Sequence, residues 1–213
     1  MKVLVDTSVL SHAVRLQRFQ EARTVEWGGA TRKWFATVLE PKPAEPGWLQ
    51  EEIDALPRIA AFAREGRLQL FTSPEIDFEL WEGPPDGMRR TSLSLFQGVE
   101  LHRAPAPFNY TRVVASYLDR PADPKIRRPS DAKARRRRFF ATLNEPGFSE
   151  LRRALGAKRA ADAFHILTAE RAGLSVFLTD DDSLLKRVAR IKVDLEVRVL
   201  APTQLLDAVA SAV

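Results

Sequence analysis

The 213-residue chain contains no cysteine, which excludes disulfides, thiolate zinc sites and cysteine nucleophiles. It has only three histidines, His12, His102 and His165, too few for a histidine-rich metal cage. Any metal would be held mainly by oxygen, which favours Mg²⁺ or Mn²⁺. No stretch approaches the ~20 apolar residues that a membrane span needs, and the first strand gives way to a polar turn before a signal peptide could form. The expectation is a cytoplasmic protein with no membrane partner, and the lack of cysteine fits a reducing compartment. A Gly-rich phosphate loop closing on Lys-Ser or Lys-Thr is also missing, which argues against an ATPase.

What is present is an ordinary globular balance. Hydrophobic residues make up 45% and charged residues 29% of the chain, which argues against global disorder. The length suits a single domain over residues 1–213 that carries insertions. Formal net charge is +5, unevenly placed: from Arg112 to Arg138 ten basic residues face three acids, a local excess of seven, so the remainder is slightly acidic. Such a concentration suits a polyanionic partner. Its densest part, Arg135, Arg136, Arg137 and Arg138, reads as a grip on an RNA phosphate backbone, with Phe139 and Phe140 stacking on bases. The other reading is a solvated helix face whose two phenylalanines pack inward.

The opening stretch, MKVLVDTSVL, poses the functional question. Val3, Leu4 and Val5 read as a buried strand, yet Asp6 follows directly, with Thr7 and Ser8 behind it. Asp6 is open to two readings. It is the cap of a helix, or it is a metal ligand at the carboxyl end of a strand, where open parallel sheets bind ligands. The spacing of Val9, Leu10, Ala13 and Leu16 predicts a helix through SVLSHAVRLQRFQEA. Residues about 20–66 form a first insertion. Its beginning, with Gly-Gly, three prolines and three tryptophans, is expected to be irregular or partly helical. Its end, LQEEIDALPRIAAFAREGR, is expected to be a helix kinked at Pro57 and stopped at Gly66.

LQLFTS (68–73) reads as a second strand, and Ser73-Pro74-Glu75 starts a helix bearing Ile76, Phe78, Glu79, Leu80 and Trp81. TSLSLFQ is expected as a short helix, GVELHRAP as a third strand and YTRVVASYLD as a helix. Residues about 120–147, rich in Pro and Arg, form a second insertion that contains a basic helix, DAKARRRRFFATLN. KRAADAFHILTAERAG reads as a helix closed by Gly173, LSVFLT (174–179) as a strand, DDSLLKRVAR as a helix, LEVRVL (195–200) as a strand and PTQLLDAVASAV as a closing helix. Strands alternating with helices imply an α/β fold with a parallel sheet covered on both faces. Trp27, Trp34, Trp48 and Trp81 are assigned to the core or to a partner interface.

Four acidic positions stand out: Asp6, Glu79, Asp162 and the run Asp180-Asp181-Asp182. Asp162 lies early in a helix that is apolar almost all round, so it is expected to be buried and to need a cation; alternatively it is a carboxylate favoured by the helix dipole. Thr179 and Asp180 read equally as caps of the next helix, and Glu79 as an exposed helical glutamate. His165 shares the Asp162 helix and reads as a core histidine. Taken together, the acids gather at the carboxyl ends of strands that share one rim. There they would repel, and one would protonate unless a cation sat between them. A divalent metal supplies that cation, acidifies bound water and stabilises phosphoryl charge.

The order and setting of these residues resemble the PIN-domain family, in particular VapC-like ribonuclease toxins. VLVDTSVL looks like that family's opening strand and acid, and FTSPEIDFEL is similar to its second motif. DAFHILTAERAGLSVFLTDDDSLL resembles its third and fourth, ending in Thr-x-Asp at Thr179 and Asp181. The resemblance covers residues about 1–16, 68–118 and 155–205. It implies a PIN-like three-layer α/β/α sandwich and an Mg²⁺- or Mn²⁺-dependent endoribonuclease. It also implies Asp6, Glu79, Asp162 and Asp181 as catalytic metal ligands with Asp182 as an accessory acid, and Thr7, Ser8 and Thr179 as hydroxyls orienting them. For a toxin it further implies an antitoxin protein over the site, and dimers are common in the family. Two other readings stand beside it. One is a non-catalytic RNA-binding PIN-like module. The other is a haloacid-dehalogenase-like hydrolase, whose second aspartate would fall where this chain has Ser8.

Overall fold

The computed structural model describes residues 1–45, 47–82, 94–110 and 129–211, without the side chains of 17–20, 37, 39, 81–82 and 129–135. In chain order its elements are β1 (Lys2–Val5), α1 (Thr7–His12), β2 (Leu16–Trp27), β3 (Ala30–Pro41), α2 (Trp48–Arg64), β4 (Gln69–Thr72), α3 (Pro74–Glu82) and β5 (Leu101–Arg103). Then follow α4 (Pro129–Thr142), α5 (Pro146–Leu155), a 3₁₀ turn (Ala157–Arg159), α6 (Ala160–Arg171), β6 (Val176–Leu178), α7 (Asp182–Val188), β7 (Arg198–Leu200) and α8 (Pro202–Ala210). Among the described residues no helix is long and apolar enough to cross a membrane.

A five-stranded sheet in the order β5-β4-β1-β6-β7 forms the centre, and all its pairings are parallel. The strands are short, apolar and buried, as a sheet covered on both faces requires. Register shows how the faces divide. Leu4 lies opposite Phe177, while Val3 and Val5 lie opposite Val176 and Leu178. Side chains alternate across a strand, so these two sets point to opposite faces. Leu4 and Phe177 pack with Ile76 of α3, Phe140 of α4, Phe148 and Leu151 of α5, and Phe164 of α6. Val3, Val5, Val176 and Leu178 pack with Val9 of α1, Leu56 and Ile59 of α2, and Leu205 of α8. The result is helices on both sides of a parallel sheet, the three layers of an α/β/α sandwich.

The order in which strands are added reverses between β1 and β6: from β1 the chain builds outward through β4 to β5, then returns to place β6 on the other side of β1. That is the topological switch point where such sheets bind ligands. Asp6 directly follows β1 and Thr179 directly follows β6. Because α6 feeds β6, its first turn, with Asp162, lies at the same carboxyl rim.

Several expected elements are corrected. α1 ends at His12, and the chain from Leu16 is a strand rather than a helix. The stretch read as irregular is a regular antiparallel ribbon, β2 against β3, paired rung by rung from Leu16↔Pro41 to Trp27↔Ala30. Gly28 and Gly29 join the strands at φ +59 and +77, the two successive positive values that a tight primed hairpin turn demands. Trp27, Phe35 and Trp34 on this ribbon are 77%, 64% and 49% exposed, and Trp48 is 38% exposed, so none of these tryptophans is core. Trp81's side chain, the YTRVVASYLD segment beyond Tyr110 and residues 120–128 lie outside the described residues. In TSLSLFQ the described part, from Ser94, is a bridge and a turn. α5 was not anticipated, although Glu145 caps it through Phe148 N at 2.6 Å and Pro146 opens it.

Candidate functional site

The site grows from the end of β1. Asp6 N continues the ladder by donating to Leu178 O at 2.9 Å, which fixes the residue at the rim. Its side chain then turns into the protein and is 8% exposed. Oδ1 accepts from Thr7 N at 2.7 Å, and Oδ2 accepts from Ser8 Oγ and Thr179 Oγ1, each at 2.8 Å. Thr7 Oγ1 donates to Glu79 Oε2 at 2.8 Å and so ties α1 to α3. Thr179 Oγ1 also accepts from Asp181 N at 3.2 Å. Asp181 caps α7 by accepting from Leu184 N at 3.0 Å. Arg159 completes the circuit: its Nη1 donates to Asp162 Oδ2 at 3.0 Å and to Asp181 Oδ2, and its Nη2 reaches Ser183 Oγ. One connected network therefore runs from Glu79 through Asp6, Thr179 and Asp181 to Asp162.

His165 forms the floor. It is 1% exposed, and its Nε2 lies 3.4 Å from Glu79 Oε1, an ion-pair contact too long for a good hydrogen bond. Arg136 of α4 approaches the same Oε1 at 3.2 Å. Among the described residues, these ion-pair contacts aside, neither ring nitrogen of His165 nor Glu79 Oε1 makes a hydrogen bond of good geometry.

The electrostatics follow from this packing. Burial pushes the Asp6 carboxyl above the usual carboxylate range, against the pull of His165 and the Ser8 and Thr179 hydroxyls. Burial, then the charge of Asp6, pushes Asp162 up to about 6 despite Arg159. For Glu79 burial acts in the same direction, but His165, Arg136 and Thr7 outweigh it and hold the group at about 2. Burial alone would lower His165; Glu79, with Asp6 and Asp162 behind it, raises it to about 9 instead. Burial also opposes ionisation of Asp181, yet Arg159 and the Leu184 N–H keep it below the usual range.

Two neighbouring carboxylates that both resist ionisation, Asp6 and Asp162, call for a cation. The all-oxygen donor set suits a hard divalent ion such as Mg²⁺ or Mn²⁺. As the side chains stand, no group of three His, Asp or Glu among the described residues is set to hold one ion. The cationic places are filled from within the chain by Arg159, Arg136 and His165.

Of the other expected residues, Asp182 stands apart, its carboxylate 2.6 Å from Lys186 Nζ on the exposed side of α7. It takes no part in the network, because a residue one step past the cap is turned away from it. Asp180 is 5% exposed and pairs with His12 Nδ1 at 2.6 Å, which raises the His12 pKa; His12 carried no signal in the sequence. Arg137 and Arg138 are exposed, and the side chain of Arg135 lies outside the described residues. Phe140 is 2% exposed, in ring contact with Phe148 and Phe164, so it packs inward and is not available to stack on a base. Arg159 and His165 were missed as members of the site, and Arg136, expected to grip RNA, instead lies against Glu79. The one legible sign was the Arg159–Asp162 spacing of three, which places the two on one helix face. Comparison with family models, with curated proteins and with solved structures finds no match to this chain.

Proposed function

We propose that this chain is a PIN-like, metal-dependent endoribonuclease. The observation that carries this reading is the convergence of Asp6, Glu79, Asp162 and Asp181 into a single network. The acids come from four separate chain segments, and Thr179 reaches Asp6 across 173 positions. An ion held by Asp6, Glu79, Asp162 and Asp181 would supply Lewis-acid stabilisation of phosphoryl charge and acidify water. The hydroxyls of Ser8 and Thr179 aim the Asp6 oxygens, and Thr7 aims Glu79, which lowers the reorganisation needed on binding. Arg137 and Arg138, exposed on the helix whose Arg136 touches Glu79, bring a polyanion to an acidic rim that would otherwise repel it.

A second reading, a non-catalytic RNA-binding module, is favoured by one feature: arginines already pair with the acids. RNA cleavage with and without Mn²⁺ separates the two, with the native chain compared against Asp6→Asn and Asp162→Asn. Metal-dependent cutting that falls about a thousandfold in both variants is the expected result. A folded protein that binds RNA but shows no metal-dependent cutting would establish the module instead.

A further inference from the structure

We propose that Arg159 is a phosphate-binding residue held in reserve: it bridges Asp162 and Asp181 in the free protein and moves onto a substrate phosphodiester when a divalent ion takes its place on Asp162. Ion and nucleic acid then bind cooperatively, each weakly without the other. This rests on the metal-dependent reading above.

The geometry points to exchange rather than to a permanent structural bridge. Arg159 closes the 3₁₀ turn and precedes α6, and its side chain is one-quarter exposed. It therefore stands at the mouth of the site, with room to turn outward. Its two acidic partners differ in what they need from it. Asp181 has further ties, to Leu184 N at 3.0 Å and Ser183 Oγ at 2.9 Å, and stays in place as the α7 cap without Arg159. Asp162 has Arg159 as its one hydrogen-bond partner among the described residues. A guanidinium never deprotonates in a protein. A divalent ion arriving at Asp162 therefore repels Arg159 and competes with it for the carboxylate, a repulsion that an anion joining the two would relieve. A phosphodiester is that anion, and its oxygens match the guanidinium fork that now grips Asp181. Arg136 repeats the arrangement more weakly on the other flank, since Glu79 has Thr7 and His165 as well.

Mn²⁺ binding to the full chain, followed calorimetrically, tests this without reading activity. Native protein is expected to bind Mn²⁺ about tenfold more tightly in the presence of a saturating phosphorothioate RNA oligonucleotide. Arg159→Met is expected to bind Mn²⁺ about tenfold more tightly than native in the absence of the oligonucleotide, and to lose the oligonucleotide enhancement. Should that variant fail to fold, as judged by circular dichroism, Arg159→Lys keeps the charge without the fork. It is expected to retain weak Mn²⁺ binding and lose most of the coupling. If Arg159→Met binds Mn²⁺ no more tightly than native, or if the variant that folds keeps full oligonucleotide coupling, the proposal is overturned while the metal site stands. If neither native protein nor any variant binds Mn²⁺ with or without oligonucleotide, the ribonuclease reading falls and this proposal with it.

Discussion

The run from α6 to α7 and the β2–β3 ribbon are held by different forces. In the first, Ala163 to Ala169 are buried without a break, and the strand that follows is covered on both faces. In the second, residues 21–35 are all exposed, and among the described residues each strand pairs only with the other. A two-stranded hairpin is at best marginally stable alone in water, so the ribbon depends on its ladder, its turn and the body at its base. There Lys42 N donates to Arg15 O at 2.7 Å. The contrast separates structure imposed by a core from structure imposed by backbone pairing, and the proposed site sits on the core side.

The largest test of that contrast is truncation in each region. Phe164 meets Phe108, Tyr110, Phe140 and Phe148, and Phe164→Ala is expected to cost about 4 kcal/mol in urea unfolding. Trp34→Ala, at a position that lies across the ribbon from Arg23, is expected to stay within about 0.5 kcal/mol. Similar costs at both positions would mean that the ribbon is packed against something and the contrast is false.

The same contrast explains what could be read in advance. Val3 to Val5, Val176 to Leu178 and the Asp162 helix announce themselves because burial imposes an apolar signature that survives in sequence. Asp6, Glu79 and Asp162 were legible for a related reason, since each is a charge set beside apolar residues, whereas only the resemblance singled Asp181 out of its acidic run. The ribbon was not legible. With both faces in water there is no core side to alternate against, so Trp27, Trp34 and Phe35 break the pattern and Gly28-Gly29 reads only as a breaker. The pairings of Arg159 with Asp181 and of Arg136 with Glu79 were missed because pairing with an acid far along the chain leaves no local trace. α5 was missed through neglect of a present signal, Phe148, Leu151 and Leu155 on one face behind a Glu-Pro start.

A middle-sized effect lies in pH, and it belongs wholly to the core side. His165 is raised from 6.5 to about 9, so its contribution is complete below pH 6.5 and is lost as pH climbs through about 9. That contribution is shared with Glu79 as one interaction. The Glu79 half, lowered from 4.5 to about 2, is complete above pH 4.5 and is lost as pH falls from there through about 2. Asp162 acts in the opposite sense to Glu79. Raised from 3.8 to about 6, it destabilises the fold when ionised, so stability falls as pH rises from 3.8 to 6. In chelator-treated buffer, unfolding free energy is expected to peak at about pH 4, where the Glu79 gain is nearly complete and the Asp162 loss begins, and to decline toward pH 9. His165→Gln should flatten the decline above pH 6.5. A chain with 17–40 replaced by a short linker should keep the native slope, because the groups that titrate lie outside the ribbon. A changed slope on excision would tie the ribbon to the site.

The smallest effect sharpens the ribbon side. Gly28 sits at φ +59 with nothing within 4 Å of where a Cβ would stand, and asparagine tolerates that conformation better than other side chains. Gly28→Asn narrows the unfolded chain without straining the folded one, a gain of about 0.5 kcal/mol. If the ribbon opens by itself, that gain is confined to it. Amide exchange in β2 and β3 should then slow by about twofold, while exchange in β1, β6 and α6 and the urea midpoint stay unchanged. A midpoint that rises with the substitution would show that the ribbon unfolds together with the sheet, so that ladder and core form one cooperative unit.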